Sequence, residues 1–264
     1  MATSIATRPE LSVAHVTVER SAFRALSDVT FNVRGGALVG ILGPNGAGKS
    51  TLFDVIAGVL PATKGKVDFH GALAYVPQKD SINWRFPATV MDVVMLGRSG
   101  GNPLRRPGRQ DRELVRNSLD RVGLWDRRSS LMTELSGGQR QRVFIARALA
   151  QEANIVLLDE AFSGVDVGAQ QEIVDVLRSL RDDGCIIMLA THDLSNLAER
   201  FDMVLCLHRH VCAWGPPVEA FTPEVLQELY GSHGMDFTQG HWHGRGMWHG
   251  HSHNMAEAET NGPA

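Results

Sequence analysis

This sequence predicts an α/β fold built on a mostly parallel sheet, on three observations. From Ile155 onward, strand-length apolar runs alternate with helical patterns: Ile155–Leu158, Ala169–Arg181, Ile186–Ala190, Leu194–Arg200 and Met203–Leu207. Buried strands alternating with helices imply a parallel sheet covered on both faces. Gly43-Pro44-Asn45-Gly46-Ala47-Gly48-Lys49-Ser50 matches GxxxxGK[ST] between a strand, Leu38–Leu42, and a helix, which is the context in which such a loop wraps phosphate. The apolar run Ile155 to Leu158 ends in Asp159-Glu160, and open α/β sheets bind ligands at the carboxyl ends of their strands.

Taken in order, Leu11–Val18, Val29–Val33 and Leu38–Leu42 read as strands, with Gly35-Gly36 as a turn. Ala47 to Gly58 reads as a helix because Leu52, Val55 and Ile56 recur at helical spacing. Val67–Phe69 and Leu73–Val76 are short strands. Residues 90–150 change character, with helical patterns at Val90–Leu96, Asp111–Val122 and Gln139–Gln151, so they read as an inserted helical lobe. Arg98, Arg105, Arg106 and Arg109 fall in or beside a Gly/Pro-rich loop. They read as a solvated basic loop, or as a face toward membrane subunits or lipid headgroups. Residues 1–230 are expected to form one domain with that lobe, and 231–264 a flexible His-rich tail.

The 264 residues are 43% hydrophobic with a net charge of −3. That suits one large domain and gives no global pull toward nucleic acid, so no nucleic-acid partner is expected. No apolar run approaches the ~20 residues a bilayer crossing needs, and MATSIATRPE lacks a signal-peptide core. Cys185, Cys206 and Cys212 sit in or beside apolar segments without CxxC spacing, which favours reduced thiols over a disulfide or a metal site.

The chemistry follows from residue type and position. Gly43, Pro44, Asn45, Gly46, Ala47 and Gly48 form a loop whose backbone N–H groups face phosphate, and a helix N-terminus adds its dipole. Lys49 is expected to reach the β- and γ-phosphates of a nucleotide, Ser50 to ligate Mg²⁺, and Thr51 to belong to the same binding loop. Asp159 is placed to hold Mg²⁺, and Glu160 to polarise the attacking water as general base.

With Leu135-Ser136-Gly137-Gly138-Gln139 between these two sites, positions 11–230 resemble the ATP-binding cassette (ABC) ATPases. The resemblance implies the ABC ATPase fold: a mostly parallel core, an antiparallel N-terminal β subdomain and the helical lobe. It implies ATP hydrolysis with ATP and Mg²⁺ as cofactors. Gln78 looks like the Q-loop glutamine, a ligand of Mg²⁺ and water. Ser136 and Gly138 look like the signature residues that touch the γ-phosphate of a partner subunit. Ser163-Gly164-Val165-Asp166 occupies the interface-lining D-loop position, and His192 resembles the switch histidine on the γ-phosphate. Read from local chemistry instead, Asp166 caps a helix starting near Val167. Two departures stand out. Glu19 or Arg20 falls where the family carries an adenine-stacking aromatic, leaving Phe23 or the Arg20 guanidinium to stack. Ala161 replaces a common proline.

Tyr75-Val76-Pro77-Gln78 followed by Trp84-Arg85-Phe86-Pro87-Ala88-Thr89-Val90 is similar to the ATPase subunits of manganese, zinc and iron importers. That implies a homodimer on the cytoplasmic face of the membrane, bound to permease subunits, with a metal-binding extracytoplasmic lipoprotein in the same system. Trp84 and Phe86 read either as permease contacts or as anchors of the hinge. An ABC ATPase serving another substrate, an exporter, and a non-transport ABC protein are the alternatives. His233, His241, His243, His249, His251 and His253 crowd the tail. They read as ligands for borderline cations, favouring zinc over manganese, or as part of a solvating segment.

Overall fold

The computed structural model describes residues 9–20, 23–77, 87–100, 106–191, 200–231, 241–243 and 247–249. The chain opens with β1 (Glu10–Arg20), β2 (Phe23–Arg34), β3 (Ala37–Leu42), α1 (Lys49–Ile56), β4 (Lys64–His70) and β5 (Leu73–Val76). The lobe follows as α2 (Val90–Met95), α3 (Arg109–Arg121) and α4 (Gly137–Ala150). Next come β6 (Ile155–Asp159), α5 (Val167–Asp182), β7 (Ile186–Thr191), β8 (Met203–Leu207), β9 (Val211–Gly215), α6 (Pro217–Ala220) and α7 (Pro223–Tyr230). Within the His-rich tail, β10 (His241–His243) and β11 (Met247–His249) pair as an antiparallel hairpin, His241 opposite His249.

The central sheet runs β5-β6-β7-β3-β8-β9. Its pairings are parallel except for β9, which lies antiparallel to β8 at the edge. A separate antiparallel sheet, β2-β1-β4, carries the N-terminal strands. The mostly parallel core, the antiparallel N-terminal sheet and the helical lobe expected from the sequence are observed.

Strand alternation divides the interior in two. Val156, Leu158, Ile187, Leu189, Val204 and Cys206 point to one face and join a core shared with the lobe, through Val94, Val115, Leu119, Val143 and Ile145. Their neighbours Ile155, Leu157, Ile186, Met188, Leu205 and Leu207 point to the other face. There they meet Leu52, Phe53 and Ile56 of α1 and the inner face of the antiparallel sheet. Each such side chain, fully buried, contributes about 1.5–3 kcal/mol relative to exposure. The lobe therefore shares its core with one face of the sheet.

Arg98 departs from the reading of a solvated basic loop. Its side chain is 17% exposed and pairs with buried Asp111 at 3.1 Å and with Glu152 at 2.9 Å. It also donates to the Ala150 carbonyl at 2.7 Å, so it clamps the start of α3 to the end of α4. Arg109 does remain on the surface, paired with Glu113 one turn along α3. Arg105 lies outside the described residues, as do Trp84 and Phe86. Short β9, α6 and α7 escaped the periodicity reading, since four to eight residues hold little pattern. Both short helices start on proline, and Thr222 caps α7 by accepting from Val225 N–H at 3.4 Å.

Candidate nucleotide site and its paired half-site

Residues Gly43 to Gly48 form the turn that joins β3 to α1. Gly48 lies in the left-handed region, with φ of 101°. A Cβ there would fall 2.7 Å from Leu26 Cδ2 and 2.8 Å from the Ala25 carbonyl, so only glycine lets the loop lie this close to β2. Lys49 folds back over the turn, its Nζ donating to the Gly43 carbonyl at 2.7 Å and the Pro44 carbonyl at 3.0 Å. Arg209, in the β8–β9 turn, fastens the loop from behind by donating its N–H to the Ala47 carbonyl at 2.8 Å.

Asp159 ends β6 beside this loop, in register with Ala190 of β7. It is buried, and its Oδ1 has no hydrogen-bond partner in the structure. Burial pushes its carboxyl above the usual carboxylate range; a hydrogen bond from Ser50 opposes that shift, and the nearby Glu160 charge adds to it. Burial lowers the Lys49 ammonium, against the attraction of Glu160 and Asp159. A buried carboxylate oxygen without a partner, next to a serine hydroxyl, is the hard-oxygen donor set that suits Mg²⁺. Ser50 and Asp159 thus fit the cation a nucleotide would bring.

Glu160 has φ of 50°, an uncommon backbone for a non-glycine residue. Its N–H donates to the Ala190 carbonyl at 3.2 Å, and its carbonyl accepts from Ser163 N–H at 3.0 Å. This bend carries its side chain into a cleft of about 460 Å³ lined also by Phe23, Asn45, Gly46, Lys49, Ser50 and Thr51. Glu160 also borders a second cavity with Ser163, Gly164, Val165 and Thr191.

Ser136, Gly138 and Asp166 gather elsewhere. Ser136 caps α4 through a reciprocal box: its Oγ accepts from Gln139 N–H at 3.3 Å, and its N–H donates to Gln139 Oε1 at 3.0 Å. Asp166 caps α5, accepting from Ala169 N–H at 2.9 Å. Gly138 packs against Ala169 and Val165, which places the two helix starts side by side. Arg142 reinforces the pairing, with Nη2 2.9 Å from Glu172 of α5. None of Ser136, Gly138 and Asp166 lines the cleft that holds Lys49. Gln78 and His192 lie outside the described residues, although Thr191 directly before His192 ends β7 beside Glu160.

Sequence reasoning misses Tyr75 as part of this site. It stands on β5 beside the Asp159 and Asp54 carboxylates, and burial together with those charges raises its phenol well above the ordinary range. Phe23 enters the sequence reading only as a substitute for the absent aromatic. In the structure it is 58% exposed at the start of β2 and lines the same cleft as Lys49, whereas Arg20 does not.

Residues 26–163 match the family model described as ABC transporter. The chain belongs to the ABC transporter family. Its ABC domain is an ATPase domain, binding and hydrolysing ATP. It is 44% identical over 236 residues to the chelated iron transport system membrane protein YfeB of Yersinia pestis, covering 85% of this chain and 80% of that one. It is also 44% identical to the manganese transport system ATP-binding protein MntA of Synechocystis, covering 85% and 91%. Among solved structures, the dimeric ABC transporter cassette MJ0796 superposes with a TM-score of 0.66 at 26% identity, over 78% of this chain and 98% of that cassette. No helix among the described residues is long and apolar enough to cross a membrane.

Proposed function

We propose that this chain is the ATP-hydrolysing subunit of a divalent-metal importer, carrying manganese, zinc or iron. The observation that carries the mechanism is the separation of two half-sites. Lys49, Ser50, Asp159 and Glu160 gather around one cleft, while Ser136, Gly138 and Asp166 form the capped ends of α4 and α5 away from it. Two copies set head to tail complete each other: Lys49, Ser50, Gln78, Asp159, Glu160 and His192 of one chain face Ser136, Gly138 and Asp166 of its partner. The N-terminus of α4 then presents N–H groups and the positive end of its dipole to a γ-phosphate.

On ATP entry, Lys49 exchanges its loop carbonyls for phosphate oxygens. Ser50 and Asp159 would hold Mg²⁺, which when bound would neutralise charge on the phosphates. Glu160 takes a proton from the attacking water, and closure of the dimer orients that water and excludes others. Phe23 stacks on the adenine.

The cargo reading is supported by the iron and manganese transport relatives. It also rests on the likeness of the segment around Gln78 to that importer group. In this reading the dimer sits on the cytoplasmic face of the membrane, docked on permease subunits, and a metal-binding lipoprotein delivers the ion outside. Deleting the chain in its host should abolish ATP-dependent uptake of Mn²⁺, Zn²⁺ or Fe²⁺. Wild type should restore it and Glu160→Gln should not. Unchanged uptake of all three ions in the deletion strain would sink the cargo assignment.

A further inference from the structure

Away from the nucleotide cleft, His210, Cys212 and Glu228 bring an imidazole, a thiol and a carboxylate together, with one ligand atom of each within 4.8 Å of the others. His210 lies in the β8–β9 turn, Cys212 on β9, and Glu228 on α7. His210 Nε2 stands 2.8 Å from Glu228 Oε1, and Cys212 Sγ stands 3.9 Å from His210 Nε2. The His210 and Glu228 side chains are 50% and 43% exposed, which leaves a path from solvent. Cys212 is partly buried.

We infer that His210, Cys212 and Glu228 form a binding site for one thiophilic divalent cation of the Zn²⁺ type. A nitrogen, a sulfur and an oxygen donor, with water as fourth ligand, make a zinc donor set. Tetrahedral zinc bonds of about 2.0–2.3 Å put neighbouring ligand atoms about 3.3–3.8 Å apart, so small side-chain rotations would close the site. The thiolate selects against Mg²⁺, Ca²⁺ and Mn²⁺, which prefer oxygen. Binding forms one metal–sulfur bond and releases the thiol proton to solvent. No CxxC spacing in the sequence announces this cluster.

The position suggests why such a site matters. Arg209, next to His210, donates to the Ala47 carbonyl of the phosphate loop at 2.8 Å and accepts from Ser27 N–H at 2.7 Å. A cation held by His210 sits one residue from that contact. The site is independent of which metal the transporter carries, because this ion is bound rather than transported.

The test is a Co²⁺ titration of the full-length, untagged chain, followed by thiolate-to-Co²⁺ charge-transfer absorption. The tail histidines contain no sulfur and cannot produce that band. One equivalent of Co²⁺ should raise it, and Zn²⁺ should bleach it. Cys212→Ser should abolish it, Cys185→Ser should leave it, and the surface variants Glu228→Gln and His210→Ala should each weaken Co²⁺ binding at least tenfold. A wild-type chain without the band, or a band that survives Cys212→Ser, overturns the site. Unchanged affinity in both surface variants overturns the ligand set.

Discussion

Gly138 and Ala169 hold the starts of α4 and α5 at a separation only glycine allows: a Cβ on residue 138 would lie 2.6 Å from Ala169 Cβ. This contact fixes where Ser136 and Asp166 stand relative to each other. Gly138→Ala should cost about 1–3 kcal/mol by overpacking. Ala169→Gly alone should cost about 1 kcal/mol in helix propensity. Because the new methyl then meets space, the double variant should lose less than the sum of the singles, as read from urea unfolding.

Ser136 caps α4 and is proposed to face a partner's γ-phosphate, and one substitution separates the two. Asp is as good an N-cap as Ser, so Ser136→Asp should leave thermal stability nearly unchanged. Its carboxylate would oppose a γ-phosphate across the dimer. ATP hydrolysis should fall by about 10²-fold or more, and an undiminished rate would remove Ser136 from the composite site.

Glu160→Gln keeps the size of the side chain and removes the proposed base. Hydrolysis should drop about 10²–10⁴-fold, while ATP still binds and holds the chain as a dimer on size exclusion. The left-handed backbone at Glu160 makes Glu160→Gly a useful companion: it tolerates the bend but restores no turnover.

Asp159→Asn should stabilise the nucleotide-free chain while abolishing Mg²⁺-dependent hydrolysis. Burial raises the folded pKa of Asp159 above its unfolded value of about 3.9. The favourable contribution of the neutral carboxyl is fully present below that unfolded value. It is lost as pH rises through the raised folded pKa. The advantage of the amide variant should therefore be absent at low pH, grow across that window and level off above it. Urea unfolding over a pH series, without Mg²⁺ or ATP, measures this directly.

Phe23→Ala should weaken ATP binding without weakening the fold, since the ring is 58% exposed. Base stacking on an aromatic is worth about 1–3 kcal/mol, roughly a 5- to 150-fold rise in Kd. Arg20→Ala should leave Kd unchanged, which distinguishes the two residues that the sequence left open.

The turn at Gly43–Gly48 and the strand end at Asp159-Glu160 were legible because each is local: adjacent residues form a tight turn or close a strand. The parallel strands were legible too, since Ile155–Asp159 and Ile186–Thr191 are built on continuous apolar runs. Tyr75 and Arg98 were not, because their partners lie far along the chain: Asp159 for one, Asp111 and Glu152 for the other. The same holds for His210 and Glu228, joined only when α7 folds over β9. Asp166 carried both a local and a family reading; its capping bond to Ala169 is observed, and its place at a partner's phosphate is the part proposed.

Arg209 adopts a left-handed backbone, φ 64°, and through its own N–H and C=O it ties the phosphate loop at Ala47 to Ser27 of β2. One residue's backbone thus joins the Gly43–Ser50 loop to β2, directly beside His210, the ligand proposed for the cation. Thermodynamic reciprocity then works as a meter: whatever factor a cation at His210 applies to ATP affinity, ATP must apply to the cation.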